Sequence, residues 1–229
     1  MKSKFQTTLI FSIYFFVSSF YLNAQIRYSS VLDQTKYIDS LIDKADKGND
    51  SAMCLLGKIY LAEKRYLPNG ELYKNEYGVI SDYKEAQYWY RKAADLGNRN
   101  AMMNLGYSYN ASKDYKQAKY WYEKVIDLDK DTDNTLKIIS LREAMYNLGL
   151  LYLNGNGVLQ NPKEAFYWFD KAANKEMQDA QYVLCILYFY GNGIEIDKKK
   201  SAYWCERSYN NGYEAAKEFW DNNELWKYK

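Results

Sequence analysis

Residues 144–173 read AMYNLGLLYLNGNGVLQNPKEAFYWFDKAA, and residues 180–209 read AQYVLCILYFYGNGIEIDKKKSAYWCERSY. Laid over each other, they match at Ala144 and Ala180, Tyr152 and Tyr188, Gly155 and Gly191, Gly157 and Gly193, and Trp168 and Trp204, always 36 residues apart. Ala216 extends the series from Ala180. A fixed spacing of this length marks a stacked array in which each unit is one supersecondary hairpin. In the first half of a copy, Ala, Leu and Tyr fall at offsets of zero, four and eight, one face of an α-helix. The glycine that follows the Leu costs roughly 1 kcal/mol of helix propensity, so its recurrence predicts a close approach by a second helix. The second half carries Ala, Trp, an aromatic, Lys and Ala, again at helical spacing. Gly-Asn-Gly between the halves supplies the positive φ that ends a helix and turns the chain. A phosphate-cradling loop would need a following Lys-Ser/Thr, which is missing.

Outward from these two copies, the first-helix pattern recurs as Ala52, Leu56, Gly57 and Tyr60, and as Ala101, Leu105, Gly106 and Tyr109. In the fourth copy Cys185 takes the place of glycine. The second-helix pattern recurs as Ala86, Trp89, Tyr90, Lys92 and Ala93, and as Ala118, Trp121, Tyr122 and Lys124, and is eroded to Ser201, Trp204, Cys205 and Ser208 in the fourth copy. The small residues of the second helix are expected to face the first-helix glycine, with the Trp and its neighbour filling the gap to the next pair. The alkyl stems of Lys92, Lys124 and Lys171 are expected to cover Trp edges. Lys198-Lys199-Lys200 reads as a solvated face. Repeat one carries an insertion within Ala62 to Gly78, and repeat two a shortened turn near Ser112-Lys113-Asp114. Lys44-Ala45-Asp46-Lys47-Gly48-Asn49 echoes Ala93-Ala94-Asp95-Leu96-Gly97-Asn98, so 31–47 reads as the second helix of a capping half-repeat, and Glu214–Trp226 as a closing helix. Terminal units of a solenoid are atypical because one face lacks a neighbour. The expected architecture is all-α, an α-solenoid of about four antiparallel helix-pair repeats with terminal capping helices. Its segments are an N-terminal cap (25–49), repeat 1 (50–98), repeat 2 with an acidic linker (99–142), repeat 3 (143–178), repeat 4 (179–213) and a C-terminal cap (214–229).

Ala-x-x-x-Leu-Gly-x-x-Tyr, Gly-Asn-Gly-Val, then Lys-Glu-Ala-x-x-Trp-Phe-x-Lys-Ala-Ala resembles the Sel-1-like repeat (SLR), a relative of the tetratricopeptide repeat. The resemblance covers residues 50–220, with 143–178 nearest to a consensus unit and repeat two keeping tetratricopeptide spacing. It implies a non-catalytic adaptor or scaffold without a shared active site or cofactor, whose first helices line a concave groove. Transferring the groove-facing offsets selects Ser51, Cys54 and Lys58 in repeat one, and Met103, Tyr107 and Asn110 in repeat two. It selects Glu143, Tyr146, Leu150 and Leu153 in repeat three, and Asp179, Tyr182, Ile186 and Phe189 in repeat four. The implied partner is a protein or peptide anchored on these aromatic and aliphatic side chains; alternatively, tight curvature buries several of them between successive first helices. Some secreted, cysteine-rich members of the family bridge the two helices of each repeat by disulfides and are associated with penicillin-like compounds. That implies a second function, weak hydrolysis or binding of cell-wall or β-lactam-like compounds. The present chain departs from that pattern, with a cysteine pair in the fourth repeat alone.

Lys2 and Lys4 precede an apolar run from Leu9 to Leu22, and Ala24 precedes Gln25, the layout of a signal peptide over 1–24. The run is shorter than the ~20 apolar residues of a membrane span; an uncleaved anchor is the alternative. The chain is thus expected to be exported, periplasmic or secreted, with no membrane span once residues 1–24 are removed. Of 31 basic and 29 acidic side chains, Lys2 and Lys4 make up the difference. The mature chain would be neutral, without the basic surplus of a nucleic-acid binder. There is no histidine, which excludes Ser-His-Asp and Cys-His catalysis and His-ligated zinc. Cys54, Cys185 and Cys205 are an odd set, so at least one is a thiol or pairs between chains. Cys185 and Cys205 replace the glycine and the aromatic of one repeat. They read either as a disulfide across one helix pair or as two small buried side chains substituting for each other. From Asp129, carboxylates at positions one, three and five and Asn134 at the turn resemble a calcium loop, but Ser140 stands where a bidentate Glu belongs. The other reading of that stretch is a helix end running into a linker, with no metal.

Overall fold

Each hairpin is punctuated by short polar side chains that bind the amides left open in a first helical turn. Asn49 Oδ1 accepts from the Ala52 amide at 2.8 Å and Asn98 Oδ1 from Ala101 at 2.9 Å. Ahead of the second helices, Asp82 accepts from Lys84 (2.8 Å), Asp114 from Gln117 (3.3 Å), Asn161 from Glu164 (3.2 Å) and Asp197 from Lys200 (2.9 Å). The computed structural model describes residues 35–61, 79–128 and 135–229, and among these all regular structure is helical. Residues 35–46 are helical (α1). There follow α2 (Asp50–Leu61), α3 (Tyr83–Asp95), α4 (Arg99–Ala111), α5 (Tyr115–Leu128), α6 (Thr135–Asn154), α7 (Pro162–Ala173), α8 (Gln178–Tyr190), α9 (Lys198–Asn210), α10 (Glu214–Asn222) and a 3₁₀ turn, Leu225–Tyr228. The expected signal segment 1–24, the insertion within Ala62 to Gly78 and residues 129–134 lie outside the described residues. The expected acidic linker is shorter than its sequence suggests. Because α6 begins at Thr135, residues 135–140 are its first turns, and Ser140 is buried in it, not open to a cation.

The chain divides within α3 into two units, Met1–Ala86 and Gln87–Lys229. In the first, Ile38, Leu41 and Ala45 of α1 are buried, as are Ala52, Met53, Leu56 and Ile59 of α2. In the second, α4 pairs with α5, α6 with α7 and α8 with α9; each second helix also packs on the next first helix, ending with α9 on α10.

All four hairpins close by the same bond. The cap residue of the second helix donates its amide to the carbonyl of the first-helix tyrosine: Asp82 to Tyr60, Asp114 to Tyr109, Asn161 to Tyr152 and Asp197 to Tyr188, at 2.8–2.9 Å. In repeats three and four the turn needs left-handed backbone, with φ of +70° and +69° at Gly155 and Gly157 and +78° and +81° at Gly191 and Gly193. Close approach adds a second demand. A Cβ on Gly157 would lie 2.7 Å from Tyr115 Cβ, and one on Gly193 2.7 Å from the Pro162 carbonyl carbon. Each of these loops therefore rests on the start of the preceding repeat's second helix.

The first-helix glycine is filled differently from the expectation. The aromatic after Trp, not the small residues, covers it: a Cβ at Gly149 would stand 2.8 Å from Phe169 Cε1, and one at Gly106 would collide with the Tyr122 ring. A ring this close needs a backbone without a Cβ, whereas Ala118, Ala165 and Ala172 are buried as small spacers. In the fourth repeat this pair is Cys185 and Cys205, both fully buried as thiols. Cys205 Sγ donates to the Ala216 carbonyl at 3.0 Å, and Cys185 Sγ lies 3.6 Å from Ser201 Oγ.

Candidate partner-binding face

In the second unit α4 meets α6 and α8 meets α10, and the charge of Asp179 on α8 reaches Tyr146 on α6, so the first helices form one layer. Tyr107 of α4 reaches Glu143 of α6, while Tyr182, Phe189 and Tyr190 of α8 all meet Phe219 of α10. Of the residues selected from sequence, Tyr107, Asn110, Tyr146, Leu150, Tyr182, Ile186 and Phe189 are half-buried in this layer, as are Glu143, Leu153 and Asp179. Met103 does not reach the surface: it is 3% exposed and belongs to the core, because α4 is covered by its neighbours at that turn. In the first unit Ser51 and Lys58 are exposed and Cys54 is half-buried.

The tyrosines of this layer are held neutral. Tyr107 donates its hydroxyl to Glu143 Oε2 at 3.1 Å; burial, then the charge of Glu143, pushes its ionisation well above the ordinary tyrosine range. Tyr146 is raised by burial, then by Asp179. Tyr182 is raised by burial, with Glu218 a smaller cause. Asn147 Nδ2 donates to the Glu143 carbonyl at 2.8 Å. At the far end, α10 and its N-cap residue make aromatic contacts that sequence reading did not find: Tyr213 lies 5.0 Å from Tyr182, and Phe219 5.3 Å from Phe189. Lys198 sits over Phe189 and donates to its carbonyl at 2.8 Å. The aromatics of repeat four are therefore partly spent on the chain's own cap.

Two further constructions escaped the sequence reading. Tyr88, Tyr120, Tyr167 and Tyr203, each just before a repeat Trp, are about half exposed and meet that Trp edge-on, with ring centroids 5.0–5.2 Å apart. Lys92 and Lys171 lie over both rings, as expected for the Trp, but Lys124 lies over Tyr120. The second is a polar staple at the α7–α8 turn. Glu176, at φ +60°, binds Arg207, Asn211 and the fully buried Gln181, while Arg142 donates to the Lys175 and Glu176 carbonyls. The signal was available: Glu176 occupies the turn position held by Gly97 and Gly212, and a non-glycine there needs side-chain support.

Among the described residues no group of three His, Cys, Asp or Glu side chains stands as metal ligands would, and no helix is long and apolar enough to cross a membrane. Stacked helix hairpins with a common closing bond and an aromatic first-helix layer define an α-helical repeat protein. The chain belongs to the Sel1 repeat family, whose model matches residues 70–98, 99–130, 142–176 and 178–213. Proteins of this family are generally protein-interaction scaffolds. A protective antigen of uropathogenic Escherichia coli displaying an SLR fold is 28% identical, with a TM-score of 0.59 over 78% of this chain and 34% of that one. The chain thus spans about a third of that antigen's length. A Sel1 repeat protein from Oxalobacter formigenes is 25% identical (TM-score 0.47; 58% of this chain, 95% of that one). Helicobacter pylori cysteine rich protein B is 21% identical (TM-score 0.45; 60% and 94%). No curated protein matches the sequence.

Proposed function

We propose that the chain is a non-catalytic exported scaffold whose first-helix layer holds a segment of another protein. The observation that carries this is the row of half-exposed Tyr107, Tyr146, Leu150, Tyr182 and Ile186 on adjacent rigid helices. Rigid aromatic anchors give contact area at small entropic cost, and few of them dominate most interfaces. Hydrolysis is the weaker reading, since a nucleophile needs its ionisation eased, whereas Tyr107, Tyr146 and Tyr182 are pushed the other way. Export rests on the layout of residues 1–24, with periplasm or medium as the destination, and cell fractionation tests it. The binding test is affinity capture from the cell envelope with the wild-type chain and with Tyr146→Ala plus Tyr182→Ala. A partner retained by the first and lost by the second is expected. Equal recovery from both would remove the face from consideration, and turnover of nitrocefin or muropeptides by purified protein would remove the non-catalytic assignment.

A further inference from the structure

We infer that the segment held on this layer presents a lysine or arginine flanked by apolar side chains, the cation lying against Glu143 and Asp179; this rests on the first-helix layer being the binding face. Glu143 is a positioned acceptor. Its carboxylate takes the Tyr107 hydroxyl at 3.1 Å, and its carbonyl takes Asn147 Nδ2 at 2.8 Å. Asp179 stands in the same register of the next first helix, 36 residues on, and its charge reaches Tyr146, though without the hydrogen bond that joins Glu143 to Tyr107.

Among the described residues no Lys or Arg pairs with Glu143, Asp179 or Glu218. The cations nearby have other work. Arg142 serves the Lys175 and Glu176 carbonyls, and Lys217 pairs with Asp221. Lys198 lies over Phe189, at the opposite end of α8 from Asp179, about 15 Å along the axis. Around repeat four the two layers also differ in sign: α8 and α10 hold Asp179, Glu214, Glu218 and Asp221 against Lys217, whereas α9 holds Lys198, Lys199, Lys200 and Arg207 against Glu206.

A second observation stands beside Tyr107. The fully buried Tyr122 hydroxyl has no hydrogen-bond partner, and its ring meets Tyr107 edge-on at 6.1 Å. Leaving such a group unmatched is costly. An ammonium or guanidinium brings several donors, enough for the Glu143 carboxylate and a second acceptor. Apolar flanking side chains would lie on Tyr146, Leu150 and Ile186.

The test is calorimetric titration of the full chain with three synthetic heptapeptides of alternating sequence, Leu–Lys, Leu–Ser and Leu–Glu, capped at both ends. The Leu–Lys peptide is expected to bind roughly tenfold or more tighter than Leu–Ser, the scale of one to two charge-assisted contacts, with Leu–Glu weakest. Glu143→Gln plus Asp179→Asn, nearly isosteric changes checked by circular dichroism, should erase that preference while leaving Leu–Ser binding in place. Glu206→Gln, on the other layer, should leave it intact. If Leu–Ser binds as well as Leu–Lys, or the double variant keeps the preference, or Glu206→Gln weakens it equally, the cation is not read here and the inference falls. In those cases the face itself survives if Tyr146→Ala plus Tyr182→Ala abolishes Leu–Ser binding. If none of the three peptides binds, inference and face fall together.

Discussion

One edge of the Phe169 ring lies against Gly149 and one edge of the Tyr122 ring against Gly106, so the glycine is a shape requirement and not a flexible point. Gly149→Ala gains helix propensity of about 1 kcal/mol but forces the Phe169 ring out of a close-packed core, at about 1–3 kcal/mol. A net loss is expected, seen as a fall of a few degrees in Tm, at about 2–4 °C per kcal/mol for a chain of this size; adding Phe169→Leu should recover part of it. In the fourth repeat the exchange has run the other way: a larger residue in the glycine position, Cys185, faces a smaller one, Cys205. Cys205→Phe alone should therefore be strongly destabilising and Cys205→Phe with Cys185→Gly much less so, a coupling of about 1–3 kcal/mol readable from a denaturation cycle. Additive effects would mean that the two positions do not share one volume. The Cys205 thiol is pushed up by its neighbour Cys185 and by burial, so it should resist alkylation until the chain unfolds.

The closing bond from second-helix cap to first-helix tyrosine is kept whether the chain between is 61–81, 110–113, 153–160 or 189–196. Asn161→Ala removes an acceptor while the amide-to-carbonyl bond persists, so a loss of about 1 kcal/mol is expected from chemical denaturation. At the α7–α8 turn, the Arg207 hydrogen bond, followed by those of Asn211 and Gln181, holds Glu176 down at about 2. A depressed carboxylate stabilises the fold above its unfolded value, near 4.5, and that contribution fades as pH falls from there toward 2. With both partners partly solvated, the gain is modest. Thermal melts should drop more steeply between pH 5 and 2.5 in the wild type than in Glu176→Gln; parallel curves would show the staple to be electrostatically idle. The helices themselves were legible in the sequence because Ala, Leu and Tyr at helical offsets must face inward, and because Gly155 and Gly191 can end a helix by their backbone alone. The ring that covers each glycine was not, since the side chain of a helical residue leans toward the preceding turn and spacing does not say which neighbour it meets. Met103 failed for a related reason: an offset transferred between repeats ignores how much of each turn the next helix covers. The start of α6 was hidden by the run of acidic residues before it, which reads as linker.

In the second unit each helix touches its neighbours in the chain and little beyond them, the condition under which stability becomes a sum of local and nearest-neighbour contributions. Among the described residues α10 is followed by a 3₁₀ turn, Leu225–Tyr228, where each earlier first helix is followed by a second helix. Instead α10 is secured by Ala216, fully buried beneath α9 and bound by Cys205, by Phe219 against Phe189, and by Leu225 of the 3₁₀ turn, also fully buried. The aromatics of repeat four thus lean on this cap, Tyr182 and Phe189 against Tyr213 and Phe219, whereas Tyr107 of repeat two meets Glu143 and Tyr122. Ala216→Glu places an unpaired carboxylate in that contact, a substitution that undocks an element more readily than it is absorbed. Hydrogen exchange read by mass spectrometry should then lose protection in α9, α10 and the end of α8, with α4 to α7 keeping theirs. Binding that relies on Tyr107, Glu143 and Tyr146 should survive the change, and contacts through Tyr182 and Phe189 should weaken. Uniform loss of protection across α4 to α10 would instead make the unit one cooperative block, and its binding face could not be divided in this way.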